Sequence, residues 1–188
     1  MIGDIVVRAY QFAEKAHQGA LRKFSGLPYF SHVKYVARVL EQLHQDPEVV
    51  AAGFLHDVIE DTQHSYEDIL SEFGRRVADI VMGVTSDKAD VEAAGRKKLY
   101  LARKMAEMPQ DCLTVKLADR FHNVLFLEND CTPQAFVVKY YKETRFLLYT
   151  LEEEGRELTE VQKVLVNRIT SILDFLRIRH KLMRDGEF

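Results

Sequence analysis

Four ionisable side chains interrupt one of the most apolar stretches of the chain, in the run Gly53-Phe54-Leu55-His56-Asp57-Val58-Ile59-Glu60-Asp61-Thr62. Phe54, Leu55, Val58 and Ile59 call for a hydrophobic core, and a lone carboxylate buried among them is costly unless it is paired or bound to a metal. On a helix His56 and Glu60 stand four residues apart, Asp57 and Glu60 three, and Asp57 and Asp61 four, so the spacing predicts one helical side carrying an imidazole and up to three carboxylates. That grouping is a start for a divalent-metal site, which one helix cannot complete. Two other segments offer a further His and Asp: Pro28-Tyr29-Phe30-Ser31-His32, and Val115-Lys116-Leu117-Ala118-Asp119-Arg120-Phe121-His122-Asn123. Taken alone, His32 reads as a structural residue near the start of a helix. Asp119, three residues after Lys116, reads equally as a charge paired within a core helix.

The elements that must position these residues are helical throughout. Ile5, Val6, Ala9, Phe12, Ala13 and Ala16 recur at helical spacing, and so do Val33, Val36, Ala37, Leu40 and Leu43. Asp46-Pro47 supplies a cap followed by proline at the first helical position, and the helix it opens is expected to run on through the central motif. Ser65 to Asp68 and Thr159 to Gln162 have the capping-box pattern, and Gly74 and Gly155 mark helix ends. Residues 18–30, with Gly19, Gly26 and Pro28, read as an irregular loop carrying Arg22 and Lys23. Residues 86–95 have loop character suited to a lid; Arg96, Lys97 and Lys98 then begin a helix as a solvated face. Arg120 and His122 are expected to project away from the cluster and hold their helix against its neighbours. The aromatics Phe136, Tyr140, Tyr141, Phe146 and Tyr149 read as core, with Lys139 or a tyrosine as a further candidate for a pocket wall. No run alternates like a strand and no segment repeats, so the expected fold is all-α, a single bundle of about eight to ten helices over residues 1–180 with a tail at 181–188.

Composition narrows the function. The 188 residues are 47% hydrophobic and 29% charged with a formal net charge of -3, an ordinary globular chain that argues against a nucleic-acid polymer as partner. An anionic substrate must then meet a local basic cluster. Cys112 and Cys131 form no CxxC pair, and the amino terminus lacks the apolar run of a signal peptide, so the expectation is a cytoplasmic protein with no membrane partner.

The order His32, His56-Asp57, Asp119 is similar to the metal-binding signature of the HD phosphohydrolase superfamily. The resemblance extends over four blocks, His17-Gln-Gly-Ala-Leu-Arg22-Lys23, Ser25-Gly-Leu-Pro-Tyr-Phe-Ser-His32, His56-Asp-Val-Ile-Glu-Asp-Thr62 and Leu117-Ala-Asp-Arg-Phe-His-Asn123, covering roughly residues 5 to 180. More narrowly, the chain resembles the hydrolase domain of bifunctional alarmone synthetase/hydrolases and their stand-alone relatives, the small alarmone hydrolases. The sequence departs from the long enzymes at Ala20, where they often carry Gln, and at Phe24, an extra residue before Ser25.

The resemblance implies that His32, His56, Asp57 and Asp119 hold one Mn²⁺, a fit for a mixed nitrogen and oxygen donor set, to which zinc, iron and cobalt are also suited. It implies Glu60 and Asp61 as the pair that orients or deprotonates a water. Arg22, Lys23, Ser25 and Asn123 would contact the nucleotide. The expected activity is removal of the 3′-pyrophosphate of guanosine tetra- or pentaphosphate. Rivals are the same chemistry on an adenosine alarmone, NADPH or a deoxynucleotide, and a sensor that binds nucleotide without turnover, which could dispense with Glu60 and Asp61. Self-association is a family-level expectation.

Overall fold

The computed structural model describes residues 4–86, 97–128 and 131–182. Most of the proposed lid at 86–95, Arg96 and the tail beyond residue 182 lie outside them. Among the described residues the regular structure is helical, apart from one isolated bridge between Leu21 and Pro28.

The helices in chain order are α1 (Asp4–Ala16), α2 (Phe30–Gln42), α3 (Pro47–Leu55), α4 (Val58–Asp61), α5 (Tyr66–Phe73), α6 (Arg75–Val84), α7 (Lys97–Glu107), α8 (Gln110–Leu125), α9 (Gln134–Glu153) and α10 (Glu160–Arg179), with a 3₁₀ turn at Phe126–Glu128. Local chemistry sets their ends. The Asp46 carboxylate accepts from the Glu48 amide with Pro47 at the first position of α3, and reciprocal capping boxes open α5 at Ser65 and α10 at Thr159. Leu182 returns its amide to the Arg177 carbonyl at 2.9 Å and packs against the core.

Two helices form the centre. All residues of α3 from Val49 to Leu55 are buried, and α8 buries an unbroken run from Leu117 to His122. α3 packs against α1, α2, α6 and α8, while α8 also packs against α2, α6 and α10. Gly53 permits a close approach of α3 to α2, since a Cβ there would stand 2.6 Å from Leu40 Cδ1 and 3.2 Å from Ala37 Cα on α2. Asp119 thus stands on one central helix, His56 directly follows the other, and His32 is on α2, which packs against both. None of the described helices is long and apolar enough to cross a membrane.

Candidate metal centre and substrate cleft

One continuous helix through the central motif is not what forms. α3 ends at Leu55, Asp57 sits at φ −102° and ψ 0°, and α4 restarts at Val58. The break has a geometric reason. Consecutive residues on an α-helix do not face each other, yet His56 and Asp57 must both reach one point. Placing Asp57 in the bridge region between helical turns swings its carboxylate under the His56 ring, with Asp57 Oδ2 3.0 Å from His56 Nε2.

His32, from the first turn of α2, and Asp119, from the middle of α8, complete the group. His32 Nε2 lies 3.5 Å from Asp57 Oδ2 and 3.3 Å from Asp119 Oδ1, and His56 Nε2 lies 3.8 Å from Asp119 Oδ1. Ligands about 2.1 Å from a common cation stand roughly 3.0–3.4 Å apart at octahedral or tetrahedral angles, so His32, His56 and Asp119 form a group suited to a divalent cation, with Asp57 Oδ2 within 3.5 Å of both imidazoles. His56 supports the same conclusion. Its Nδ1–H donates to the Gly53 carbonyl at 2.8 Å, which leaves the Nε2 lone pair facing the carboxylates, buried and without a hydrogen-bond partner. With no cation bound, burial lowers the His56 pKa, but the adjacent Asp57 charge and then Asp119 outweigh it and push it up to about 9, so a metal ion and a proton compete for Nε2. Burial likewise opposes ionisation of Asp57 and Asp119, yet His56 for the first and Lys116 for the second hold both carboxyls well below the usual range.

A second layer surrounds the group. Tyr29 donates its hydroxyl to Asp57 Oδ2 at 2.7 Å, Lys116 Nζ pairs with Asp119 Oδ2 at 3.0 Å, and Asn123 Nδ2 donates to Asp119 Oδ1 at 2.5 Å. His122 was expected to project elsewhere; instead its Nδ1 lies 2.6 Å from His32 Nδ1. Burial, then the neighbouring His32 and Arg22, push its pKa down to about 3, so the ring is neutral. Its position three residues after Asp119, on the same side of α8, was the available signal. Arg120, also assigned elsewhere, pairs with Glu143 at 2.9 Å and stacks on Tyr140 at 4.6 Å, holding α9 as expected but also lining the cleft.

The cleft has two adjoining chambers. One, of about 400 Å³, is lined by the acids Asp57, Glu60, Asp61 and Asp119 together with the bases Lys97, Lys116 and Arg120. Glu60 is half-buried and accepts the Ser86 amide at 2.9 Å, while Asp61 is exposed. The other chamber, of about 180 Å³, is lined by Arg22, Lys23, Ser25, Asn123 and the rings of Phe24, Phe126 and Phe136. Tyr29, Asn123 and Tyr140 line both. Arg22 donates to Asn123 Oδ1 at 3.1 Å with its guanidinium 5.2 Å from the Phe126 ring centre, so a hydrogen-bonded chain runs from this chamber through Asn123 to Asp119. The loop holding Arg22 is pinned by bonds between Arg22 and Leu27 and between Tyr29 and Ala20, with Gly19 and Gly26 at φ 81° and 66°. Phe24 packs edge-on against Phe136, 4.8 Å between ring centres, which gives the extra loop residue a place in the pocket wall. Lys139 is exposed and belongs to neither chamber's lining, and Lys98 sits over the Phe146 ring.

Comparison with known proteins agrees with this architecture. A family model described as HD domain matches residues 9–151. A GTP pyrophosphokinase of Streptomyces coelicolor is 36% identical over 169 residues, which is 87% of this chain and 18% of that protein. A guanosine-3′,5′-bis(diphosphate) 3′-pyrophosphohydrolase of Haemophilus influenzae is 44% identical over 116 residues, 60% of this chain and 17% of that protein. The chain thus spans less than a fifth of the length of these curated relatives. A solved structure described as a metazoan ortholog of SpoT that hydrolyzes ppGpp superposes with a TM-score of 0.78 at 27% identity, over 96% of this chain and 98% of that one. With the motif residues gathered at one point and both sequence and fold matched over most of its length, the chain belongs to the HD domain family and is related to SpoT/RelA-type hydrolase domains.

Proposed function

We propose that this chain is a Mn²⁺-dependent pyrophosphohydrolase that converts guanosine tetra- or pentaphosphate to GDP or GTP and pyrophosphate. The observation that carries the reading is the two-chamber cleft. Imidazole and carboxylate donors from three helices converge at one end, and a basic, aromatic pocket of suitable character for a purine opens at the other. His32, His56, Asp57 and Asp119 would hold the cation, which when bound polarises a phosphoryl oxygen and makes a bound water more acidic.

The remaining work falls to the chain. Glu60 and Asp61 stand on the turn following the ligands and line the same chamber, so they take the proton of the attacking water and return it to the departing 3′ oxygen. As neighbours they share this task, and neither alone is assigned the base. Water oxygen joins the phosphorus attached to O3′, and the O3′–phosphorus bond breaks. Lys97, Lys116 and Arg120, which line the same chamber, offset the phosphate charge. Arg22 stacks against the base while Lys23, Ser25 and Asn123 fix the nucleotide by polar contacts.

Purified protein stripped of metal and supplied with Mn²⁺ is incubated with guanosine and adenosine alarmones, NADPH and deoxynucleotides, and the products are resolved by anion exchange. Pyrophosphate release from the guanosine alarmones, lost in a Glu60→Ala, Asp61→Ala double variant, is the expected result. Release of inorganic phosphate from NADPH instead would reassign the protein as a phosphatase, and nucleotide binding without any turnover would make it a sensor.

A further inference from the structure

We infer that His122 is a positioning residue of the metal centre: it accepts the Nδ1 proton of His32 and so leaves the His32 Nε2 lone pair aimed at Asp57 and Asp119. The inference rests on the metal-binding role proposed above for His32. At 2.6 Å the two Nδ1 atoms have room for one proton between them. Were that proton on His122, neutral His32 would carry its own on Nε2, facing the carboxylate oxygens at 3.3 and 3.5 Å, and would be a hydrogen-bond donor to them instead of a ligand. With the proton on His32 Nδ1, Nε2 is available to a cation.

The two imidazoles of the centre are thus oriented by different means. The Gly53 carbonyl behind His56 can only accept, which fixes that tautomer in every state of the site. His122 can accept or donate, so the form of His32 that binds metal is one of two, and metal binding selects it. For this to work the His122 ring must be held in register. It is 1% exposed and lies between Tyr35 of α2, 4.4 Å between ring centres, and Phe126 at the end of α8, 4.5 Å. Phe126 also forms a wall of the chamber that holds Arg22, so the same stack braces both ends of the cleft.

The test replaces His122 by Leu, which keeps apolar bulk but offers no acceptor, and by Asn, whose carbonyl oxygen stands near the original Nδ1. Mn²⁺ affinity is measured by chelator competition, fold by circular dichroism, and the His122 tautomer in the native Zn²⁺-loaded protein by nitrogen-15 chemical shifts. His122→Leu should bind Mn²⁺ roughly 10- to 100-fold more weakly, the range typical for lost partners of metal-binding histidines, with Asn recovering most of the loss and native His122 unprotonated at Nδ1. Equal affinity in a folded Leu variant, or an Asn variant no better than Leu, overturns the inference while leaving the metal centre intact. Native His122 protonated at Nδ1 overturns it even where neither variant folds. A native protein that holds no metal at all would remove the proposed function and this role together.

Discussion

Asn123 shows how much one side chain is asked to do in this cleft. Its amide nitrogen donates to Asp119 Oδ1 and its oxygen accepts from Arg22, so it joins a proposed metal ligand to a proposed nucleotide contact. Asn123→Ala should therefore weaken Mn²⁺ affinity by about 10-fold or more and raise KM as well, read by chelator competition and by initial rates at saturating metal. Ser25 lines only the outer chamber, and its hydroxyl accepts the Leu27 amide. Ser25→Ala should raise KM alone, and an equal loss of metal affinity in both variants would break the link drawn through Asn123. The two cysteines separate in the same residue-level way. Cys112 is buried, and burial followed by the Asp111 charge pushes its thiol up to about 11, whereas Cys131 is exposed. The reactive species is the thiolate, so a disulfide reagent at pH 8 should consume one thiol per folded chain quickly and the second only after denaturant is added.

Among the elements, the α2–α3 contact sets the spacing between His32 and His56. Gly53→Ala gains about 1 kcal/mol of helix propensity, but its Cβ would stand 3.2 Å from the Ala37 backbone and 2.6 Å from buried Leu40. Overpacking of that kind costs about 1–3 kcal/mol, so a lowered urea midpoint is expected, with weaker Mn²⁺ binding because Gly53 also holds the His56 ring. A midpoint at or above the native value would mean that α2 yields without cost. The same region shows what a sequence can and cannot disclose. Caps at Asp46, Ser65 and Thr159 act through bonds to residues two or three positions away, so their spacing makes them legible. Apolar periodicity likewise identifies α2 and α8 as core helices. The break at Asp57 left no such mark, since no glycine or proline signals it and only the need to converge two adjacent side chains explains it. Tyr29 to Asp57 and Arg22 to Asn123 join residues far apart in the chain, and pairings of that kind are decided by packing alone.

For the molecule as a whole, the proposed ligands come from α2, α8 and the junction between α3 and α4, so a bound cation would cross-link these elements through the core. That ties metal affinity to global stability: a ligand present at a hundred times its Kd stabilises the native state by about 2.7 kcal/mol. For a chain of this length such a gain raises Tm by roughly 5–10 °C. Thermal unfolding of metal-stripped protein should therefore shift upward by that amount with Mn²⁺ and return with chelator. His32→Ala should abolish the shift, because one of the donors is gone. Glu60→Gln should keep it, because Glu60 is proposed to serve the water and not the metal, while turnover falls. The two variants thus separate holding the ion from using it. A full shift in His32→Ala would place the stabilising ion elsewhere on the protein. A lost shift in Glu60→Gln would move Glu60 from the proton-transfer pair into the coordination sphere, and the break between α3 and α4 would then have to be read as presenting three ligands from one segment rather than two.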